Sequence, residues 1–240
     1  MSPRVTSYGK CFLCGEMLAK NAVSRHLAEC IPAHEMGKGK PERLFHLQVE
    51  GAEAPEYWLH LEIPASVTLE KLDNFLRAIW LECCGHLSAF EIHGVRYEVA
   101  LEGADFSFYD EPPKAMKSAR LEKTLAVGGA FTHEYDFGTT TELKLKVVGE
   151  RMGTRPKGKV RLLARNYAPD LRCKVCGAPA EDLYVYEYPC EPYCEEHGMD
   201  KYGEEGLLPL VNSPRTGECG YTGPFDESLR FEEKTPGNQE

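Results

Sequence analysis

The sequence predicts an α+β fold in which a mixed central β-sheet with a packed helix is flanked by an N-terminal CCHC-type zinc finger and a C-terminal zinc ribbon. Three observations lead to this prediction. Apolar and polar residues alternate over 45–49 and 57–63, which is typical of strands with one buried face. Apolar residues recur every three or four positions between Thr68 and Trp80, which indicates a helix. Cysteine and histidine residues with metal-ligand spacing stand near both ends of the chain.

The N-terminal group has the spacing C-x2-C-x11-H-x3-C, and its members are Cys11, Cys14, His26 and Cys30. Gly15 allows a tight knuckle turn after the first pair, and a helix would carry the second pair on one face because its members are four residues apart. A segment of about thirty residues buries too little apolar surface to fold unaided. The alternative, buried thiols or disulfides, would have to match the finger spacing at four positions by coincidence. We therefore predict a structural zinc ion in a finger over residues 8–32.

The C-terminal group begins with a second knuckle, Cys173-Lys174-Val175-Cys176-Gly177. Its returning pair is either Cys194 with His197 or Cys190 with Cys194. The C-x2-H spacing of the first choice fits a knuckle better than C-x3-C does, which leaves Cys219 as a spare thiol. The metal ligands predicted for this second structural zinc ion, in a ribbon-like module over residues 170–225, are Cys173, Cys176, Cys194 and His197. Whether Cys190 or Cys219 replaces Cys194 or His197 stays open at this point.

Neither group has the character of a catalytic metal site. A catalytic zinc ion keeps one coordination position open for water, whereas four protein ligands rich in thiolate close the shell. The remaining candidates for chemistry also have simpler interpretations. Cys83 and Cys84 are interpreted as a buried helix end, and His86 as a capping or packing residue. Ser88 is interpreted as the first residue of a strand, and Asp136 as a turn residue that bonds the backbone of Gly138 or Thr139. No catalytic residue is predicted, and a zinc-dependent enzyme ranks third among the functions considered.

The remaining elements follow from local patterns in the central domain, which is predicted over residues 43–166. The helix from Thr68 is expected to end near Gly85, and the two residues His93-Gly94 suit a tight hairpin turn. The other expectations are a loop over 103–119, a short helix over 120–125, strands over 131–135, 142–148 and 159–164, and a disordered tail over 232–240.

Charge is concentrated in blocks, although the net charge is −10. Between Lys144 and Arg165 there are eight basic residues and one acidic residue. Such a stretch can follow a phosphate backbone. It equally fits the solvated face of strands or internal pairing with the acidic C-terminal block, and the net charge would repel nucleic acid. The predicted nucleic-acid-binding residues are Lys144, Lys146, Arg155, Lys157, Lys159 and Arg161.

Composition favours the cytoplasm as the compartment. The chain has 10 cysteines in 240 residues, no hydrophobic leader after Met1 and no apolar run long enough to cross a bilayer. Knuckle pairs in such a chain indicate metal binding more than disulfides. We expect no membrane partner and find no sign of a small-molecule substrate. Nucleic acid is the first partner class to test, and a protein partner, with the chain as a zinc-containing adaptor, is the alternative.

Two segments of the central domain resemble a known family. Residues 72–90 read LDNFLRAIWLECCGHLSAF, and residues 135–143 read YDFGTTTEL. Both resemble the plasmid pRiA4b open-reading-frame-three family, and the similarity covers about residues 43–165. The later segment from VNSPR at 211–215 to CGYTG at 219–223 is similar to zinc-knuckle members of the same group.

The resemblance implies a fold more than an activity. Members are described as passenger proteins of insertion elements, some with a resolvase-like name, so the resemblance implies a nucleic-acid-associated accessory protein of mobile-element origin. Many members continue Asp-Phe-Gly with an acid, a variable residue and a tryptophan. This chain has Thr139, Thr140 and Thr141 at those places, so no role of that acid or tryptophan is carried over.

Overall fold

The chain forms two units, and the first of them contains one large β-sheet. The computed structural model describes residues 7–35, 40–99, 112–154 and 160–236. The chain divides into a first unit of Met1–Leu76 with Leu87–Asn166 and a second unit of Arg77–His86 with Tyr167–Glu240. The strands of the described residues are β1 (Tyr8–Cys11), β2 (Met17–Ala19), β3 (Glu42–Gly51), β4 (Trp58–Pro64), β5 (Ser88–Ile92), β6 (Val95–Glu98), β7 (Lys114–Ala115), β8 (Ala130–Tyr135), β9 (Thr141–Gly153), β10 (Arg161–Asn166), β11 (Asp182–Tyr184), β12 (Glu191–Tyr193) and β13 (Leu207–Pro209).

The first ten of these strands form one mixed sheet. Their spatial order is β2-β1-β10-β4-β3-β9-β8-β5-β6-β7. Only β6 and β7 run parallel among the pairs of the described residues. The sheet and its few helices confirm the predicted α+β class.

Four α-helices accompany the strands in the described part of the chain: α1 (Val23–Ala33), α2 (Leu69–Leu76), α3 (Leu121–Thr124) and α4 (Glu195–Tyr202). The helix predicted to reach Gly85 is shorter than expected, because α2 gives way to a π-helical turn over Arg77–Leu81. The Glu82 N–H donates to the carbonyl of Arg77 at 2.8 Å. This hydrogen bond spans five residues, whereas an α-helical bond spans four. Within the residues described, no helix is both long enough and apolar enough to span a bilayer.

One face of the sheet is apolar along its centre. Leu47 lies opposite Val147 and Val49 lies opposite Leu145, and all four side chains are buried. The helix α2 packs on this face, because its residue Asp73 contacts His133, which is paired with Leu143 on the same face. This is the packed helix that the sequence predicts.

The opposite face is covered at one end by α1. Val23, Leu27 and Ile31 of this helix form a buried cluster with Trp58 of β4 and Leu163 of β10. Every residue of β4 is consequently buried. The sequence predicts β4 as half-buried, and this prediction is wrong because α1 covers the side on which its polar residues lie.

Two tight turns have the predicted geometry. His93 and Gly94 both have positive φ, 52° and 76°, and join β5 to β6. This is the backbone that a two-residue hairpin requires. Asp136 accepts a bond from the Gly138 N–H at 3.0 Å, which confirms its predicted role as a turn residue.

The second unit has little regular structure. Its sheet has the order β12-β11-β13, and each of these strands is three residues long. The tail is predicted to be disordered from Glu232, but its first residues contact Ala168. The Glu233 carbonyl accepts a hydrogen bond from the Ala168 N–H, and Lys234 forms a β-bridge with Ala168. Residues 237–240 of that tail, residues 103–111 of the predicted loop and residue 159 of the predicted strand lie outside the described residues.

Candidate metal centres

The N-terminal knuckle forms at the end of β1, where a hairpin leads into β2. The Gly15 N–H donates to the Cys11 carbonyl at 2.8 Å, and the Cys11 N–H donates to the Glu16 carbonyl at 2.9 Å. Gly15 has φ of +81°, which a side chain would disfavour. This backbone turns Cys11 and Cys14 toward the same point.

The helix α1 supplies the other two donors of this N-terminal cluster. His26 and Cys30 are one helical turn apart and share a face. Cys11 Sγ lies 3.8 Å from Cys30 Sγ, and Cys14 Sγ lies 3.4 Å from His26 Nε2. All four donor atoms lie within 4.8 Å of one another. Burial and the thiols of Cys14 and Cys11 raise the pKa of Cys30 to about 12, so only a bound cation would stabilise its thiolate near neutral pH.

The C-terminal knuckle repeats the hydrogen bonds of the first. The Gly177 N–H donates to the Cys173 carbonyl at 2.9 Å, and the Cys173 N–H donates to the Ala178 carbonyl at 2.7 Å. Gly177 has φ of +74°. The Lys174 N–H also donates to the Pro192 carbonyl at 3.0 Å, which attaches the knuckle to β12. Two segments far apart in sequence thus adopt the same local structure.

The helix α4 supplies the returning pair of this C-terminal cluster. Cys194 immediately precedes the helix, and His197 lies in its first turn. Cys194 Sγ lies 3.8 Å from Cys176 Sγ and 3.1 Å from His197 Nδ1. Cys190 is not among the four side chains that converge. Cys194 and His197 therefore converge with the knuckle cysteines, and their role as metal ligands stays a prediction.

Backbone groups in the C-terminal cluster favour an anionic sulfur. Burial raises the pKa of Cys173, but hydrogen bonds from the backbone N–H groups of Cys176, Cys194 and Val175 lower it to a net value of about 6. A thiolate is the form in which cysteine binds metal ions. The knuckle thus prepares at least one sulfur for coordination.

A third cluster was not predicted. Cys83, Cys84 and His86 follow the π-helical turn, and Cys219 approaches them from the C-terminal segment of the same unit. His86 Nε2 lies 3.3 Å from Cys219 Sγ and 2.8 Å from Cys84 Sγ. Cys84 Sγ lies 3.8 Å from Cys219 Sγ. The interpretation of Cys83 and Cys84 as a buried helix end is wrong, because Cys84 is exposed and Cys83 is only partly buried. Cys219, interpreted as a spare thiol, lies beside Cys84.

The chain reverses on both sides of this central cluster. Gly85, with φ of +80°, turns the backbone so that His86 returns beside Cys84. Cys219 itself has φ of +47°, an unusual value for a residue with a side chain. A signal was present in the sequence, because neither predicted metal site used Cys83, Cys84 or Cys219, and His86 lies close to the first two. No C-x2-C pair marked them, and 135 residues separate Cys84 from Cys219.

The donor distances fit a shared ion better than a covalent bond. All ten cysteines are free thiols, and a disulfide would place two sulfurs about 2.05 Å apart. Tetrahedral coordination at about 2.3 Å for sulfur and 2.0–2.1 Å for nitrogen implies sulfur–sulfur distances of about 3.8 Å and sulfur–nitrogen distances of about 3.5 Å. Each cluster contains a 3.8 Å sulfur pair, whereas the sulfur–nitrogen distances, from 2.8 to 3.4 Å, are shorter than the tetrahedral value. The three clusters are therefore compatible with metal binding.

Of the predicted nucleic-acid-binding residues, Lys144, Lys146 and Arg161 lie in the described part of the chain, and nucleic-acid binding by them stays a prediction. Lys144 and Lys146 are exposed on β9, but Glu50 lies opposite Lys144 on β3. Arg161 donates to the His34 carbonyl at 3.1 Å. Arg155, Lys157 and Lys159 lie outside the described residues.

Other basic residues of the same stretch have acidic partners or are buried. Arg151 Nε donates to Glu62 at 2.6 Å, and its Nη1 donates to Glu35. Arg165 is buried. The described part of this stretch is therefore mixed in charge.

His133 and Glu134 are adjacent ionisable residues of β8, and they have different partners. His133 is buried under α2, with its Nε2 2.7 Å from Asp73 Oδ1. Glu134 instead accepts a bond from Arg96 at 3.0 Å. His133 therefore belongs to the contact between α2 and the sheet.

Fold and clusters together define an α+β protein whose described residues include three cysteine–histidine groups able to hold metal ions. The model of the plasmid pRiA4b ORF-3-like protein family matches residues 44–174, more than half of the chain. The chain belongs to this family, as the resemblance of residues 72–90 and 135–143 predicted. The matched range includes Cys83, Cys84 and His86, whereas the N-terminal cluster precedes it.

Two further comparisons add little. A comparison with curated proteins gave no match. A crystal structure of a protein of unknown function from Methanosarcina mazei Go1 is similar at 22% identity with a TM-score of 0.42. The similarity covers 51% of this chain and 68% of that chain.

Proposed function

We propose that this chain is a non-catalytic zinc protein in which structural ions at the N-terminal and C-terminal clusters hold short segments in binding-competent shapes. The observation that carries the proposal is the repetition of one knuckle. In both clusters the glycine after the second cysteine donates to the first cysteine's carbonyl, at 2.8 Å and 2.9 Å. Three thiolates and one imidazole are ligands that zinc prefers in structural sites.

The energetics support a structural role for these ions. Apparent zinc binding in small modules contributes about 10–16 kcal/mol near neutral pH, whereas the whole stability of a typical domain is about 5–15 kcal/mol. The second unit, with its three-residue strands, has little other regular structure to stabilise it. Zinc at the C-terminal cluster would therefore supply a large share of its folding free energy.

The closed shell argues against catalysis by these ions. Each cluster offers four donors, one from each of its residues, and a tetrahedral ion bound by four side chains has no position left for water or substrate. A three-ligand site would require one donor to move away.

Metal analysis of the purified chain tests the proposal. Protein prepared without chelators should contain zinc, and Cys14→Ser and Cys176→Ser should each lower the zinc content by about one ion per chain. Cys190→Ser is the matched control, because Cys190 lies outside all three clusters. Absence of zinc from the unsubstituted protein, or full zinc content in both cluster variants, would contradict the proposal.

For the partner, we favour a protein over nucleic acid. The net charge is −10, and the described part of the basic stretch is mixed in charge. Phe12, in the N-terminal knuckle, is 42% exposed. Its neighbour Leu13 packs against the core under α1, so its side chain is less accessible to a partner. A rigid knuckle that presents an aromatic side chain can anchor a protein surface.

Titration with nucleic acid at two salt concentrations separates the two partner classes. Contacts with phosphates weaken steeply as salt rises, because each one releases condensed counterions. We expect no specific gel shift at either concentration. A shift that salt abolishes, and that is lost when Lys144 and Lys146 are both changed to glutamine, would instead support nucleic-acid binding.

A further inference from the structure

We propose that Cys83, Cys84, His86 and Cys219 form a third zinc site, more readily exchanged than the other two. This central cluster uses residues that the two knuckle sites do not. The proposal can therefore be tested separately from the zinc sites proposed above.

Convergence of four donors is the first observation. The four ligand atoms lie within 4.8 Å of one another. The 3.8 Å between Cys84 Sγ and Cys219 Sγ equals the sulfur–sulfur distance in each knuckle cluster. The adjacent cysteines are tighter, with Cys83 Sγ 3.5 Å from Cys84 Sγ. Three sulfurs and one imidazole nitrogen form the same type of donor set as in the knuckle clusters.

A buried arginine is the second observation. Arg215 is fully buried, and its Nη2 lies 3.6 Å from Cys83 Sγ. Three thiolates around one divalent ion carry a net charge of about −1, and a guanidinium beside them offsets that charge.

The backbone around the cluster is fixed by two further hydrogen bonds. The Ser213 hydroxyl donates to the Trp80 carbonyl at 2.7 Å, which satisfies a carbonyl at the end of the helical segment. The Gly85 N–H donates to Glu82 at 2.6 Å on the other side of the two cysteines. The donors are therefore held by residues on both sides of the cluster.

Solvent exposure distinguishes this cluster from the other two. The N-terminal cluster has two buried donors, Cys11 and Cys30, and the C-terminal cluster has one, Cys173. None of the four residues in the central cluster is buried. A chelator reaches exposed sulfurs more easily, so an ion here should be removed first.

Zinc stoichiometry tests the site. The unsubstituted protein should bind three zinc ions per chain, and Cys219→Ser and Cys84→Ser should each bind two. Cys190→Ser should still bind three. Circular dichroism of each variant checks its fold. Two variants are used so that the test still works if one of them does not fold. Two ions in the unsubstituted protein with no loss in either variant would overturn the third site, while the knuckle variants would still report on the other two.

Release to a chromogenic chelator tests the exchange. We expect a fast phase of about one ion per chain that disappears in Cys84→Ser and persists in Cys14→Ser. A fast phase that survives in Cys84→Ser would show that the readily lost ion belongs to another cluster, and that part of the proposal would be wrong.

Discussion

At the scale of single residues, the most unusual pair is His46 with His60. Nε2 of His46 lies 2.8 Å from Nδ1 of His60 across β3 and β4. Burial lowers the pKa of His46 to about 4, although the nearby Glu62 acts against this shift. Burial, His46 and Lys20 lower the pKa of His60 well below its usual value. Both imidazoles are therefore neutral at pH 7.

This pair predicts loss of stability in acid. Since both pKa values are lower in the folded state, the unfolded chain binds more protons as pH falls from about 6.5 toward 4, and the free energy of unfolding decreases. For His46 the decrease should be about 2 kcal/mol between pH 7 and pH 5. Urea unfolding of zinc-loaded protein at both pH values measures it. The variant His46→Gln should lose correspondingly less, and an equal loss in both proteins would contradict the assignment.

The cysteines differ in how well the sequence predicts their partners. Cys11 with Cys14, and Cys173 with Cys176, are local pairs, so their spacing alone predicted each knuckle. Cys84 and Cys219 are brought together only by tertiary structure. Nothing in a spacing rule connects residues 135 positions apart.

At the scale of elements, β1 is attached to the sheet through a glycine. Gly9 is paired with Asn166 of β10. A Cβ atom at Gly9 would lie 2.3 Å from the Arg165 carbonyl oxygen and 2.4 Å from the Trp58 ring. No side chain fits there unless β1 moves. The close approach of this strand therefore requires glycine.

Substitution of this glycine should loosen the N-terminal knuckle. We expect Gly9→Ala to lower the free energy of unfolding by about 1–3 kcal/mol through overpacking, and to weaken zinc binding at the N-terminal cluster. Chemical denaturation and zinc titration measure the two effects. Gly149→Ala in β9 is the control, because a Cβ atom there meets nothing within 4 Å. Equal stability of the two variants would show that β1 can shift without cost.

Strands with one buried face were predictable from the sequence. The exposure or the boundary of an element was not predictable where segments distant in sequence determine it. Alternation located β3, β8 and β9, since a period of two identifies the buried side. The same alternation in β4 gave the wrong exposure, because α1 covers its second face. The π-helical turn after α2 likewise had no local signal, and its boundary coincides with the division between the two units.

At the scale of the whole molecule, the clusters are distributed unevenly between the units. The first unit contains the ten-stranded sheet and the N-terminal cluster, whereas the second contains the other two clusters. A broad apolar core stabilises the first unit. In its described part, the second unit has only three-residue strands beside its two cysteine–histidine clusters.

Removal of metal should therefore affect the units differently. After treatment with a strong chelator at neutral pH, we expect amide protons over residues 167–236 to exchange much faster, while β3, β4 and β9 keep their protection. Hydrogen–deuterium exchange followed by mass spectrometry resolves both regions, and added zinc should restore the original pattern. Unchanged exchange over 167–236 would indicate that this unit folds without metal.

The separation of Cys219 from its partners also has a consequence during synthesis. His86 and Cys219 are 133 positions apart, and ribosomes add about 5–20 residues per second. The N-terminal cluster has all its donors once Cys30 has emerged, but the central cluster must wait for about 7–27 s after His86 is made. During that interval a nascent chain exposes two adjacent thiols and an imidazole without their fourth partner. Premature oxidation or capture of a stray ion at that stage would compete with correct maturation.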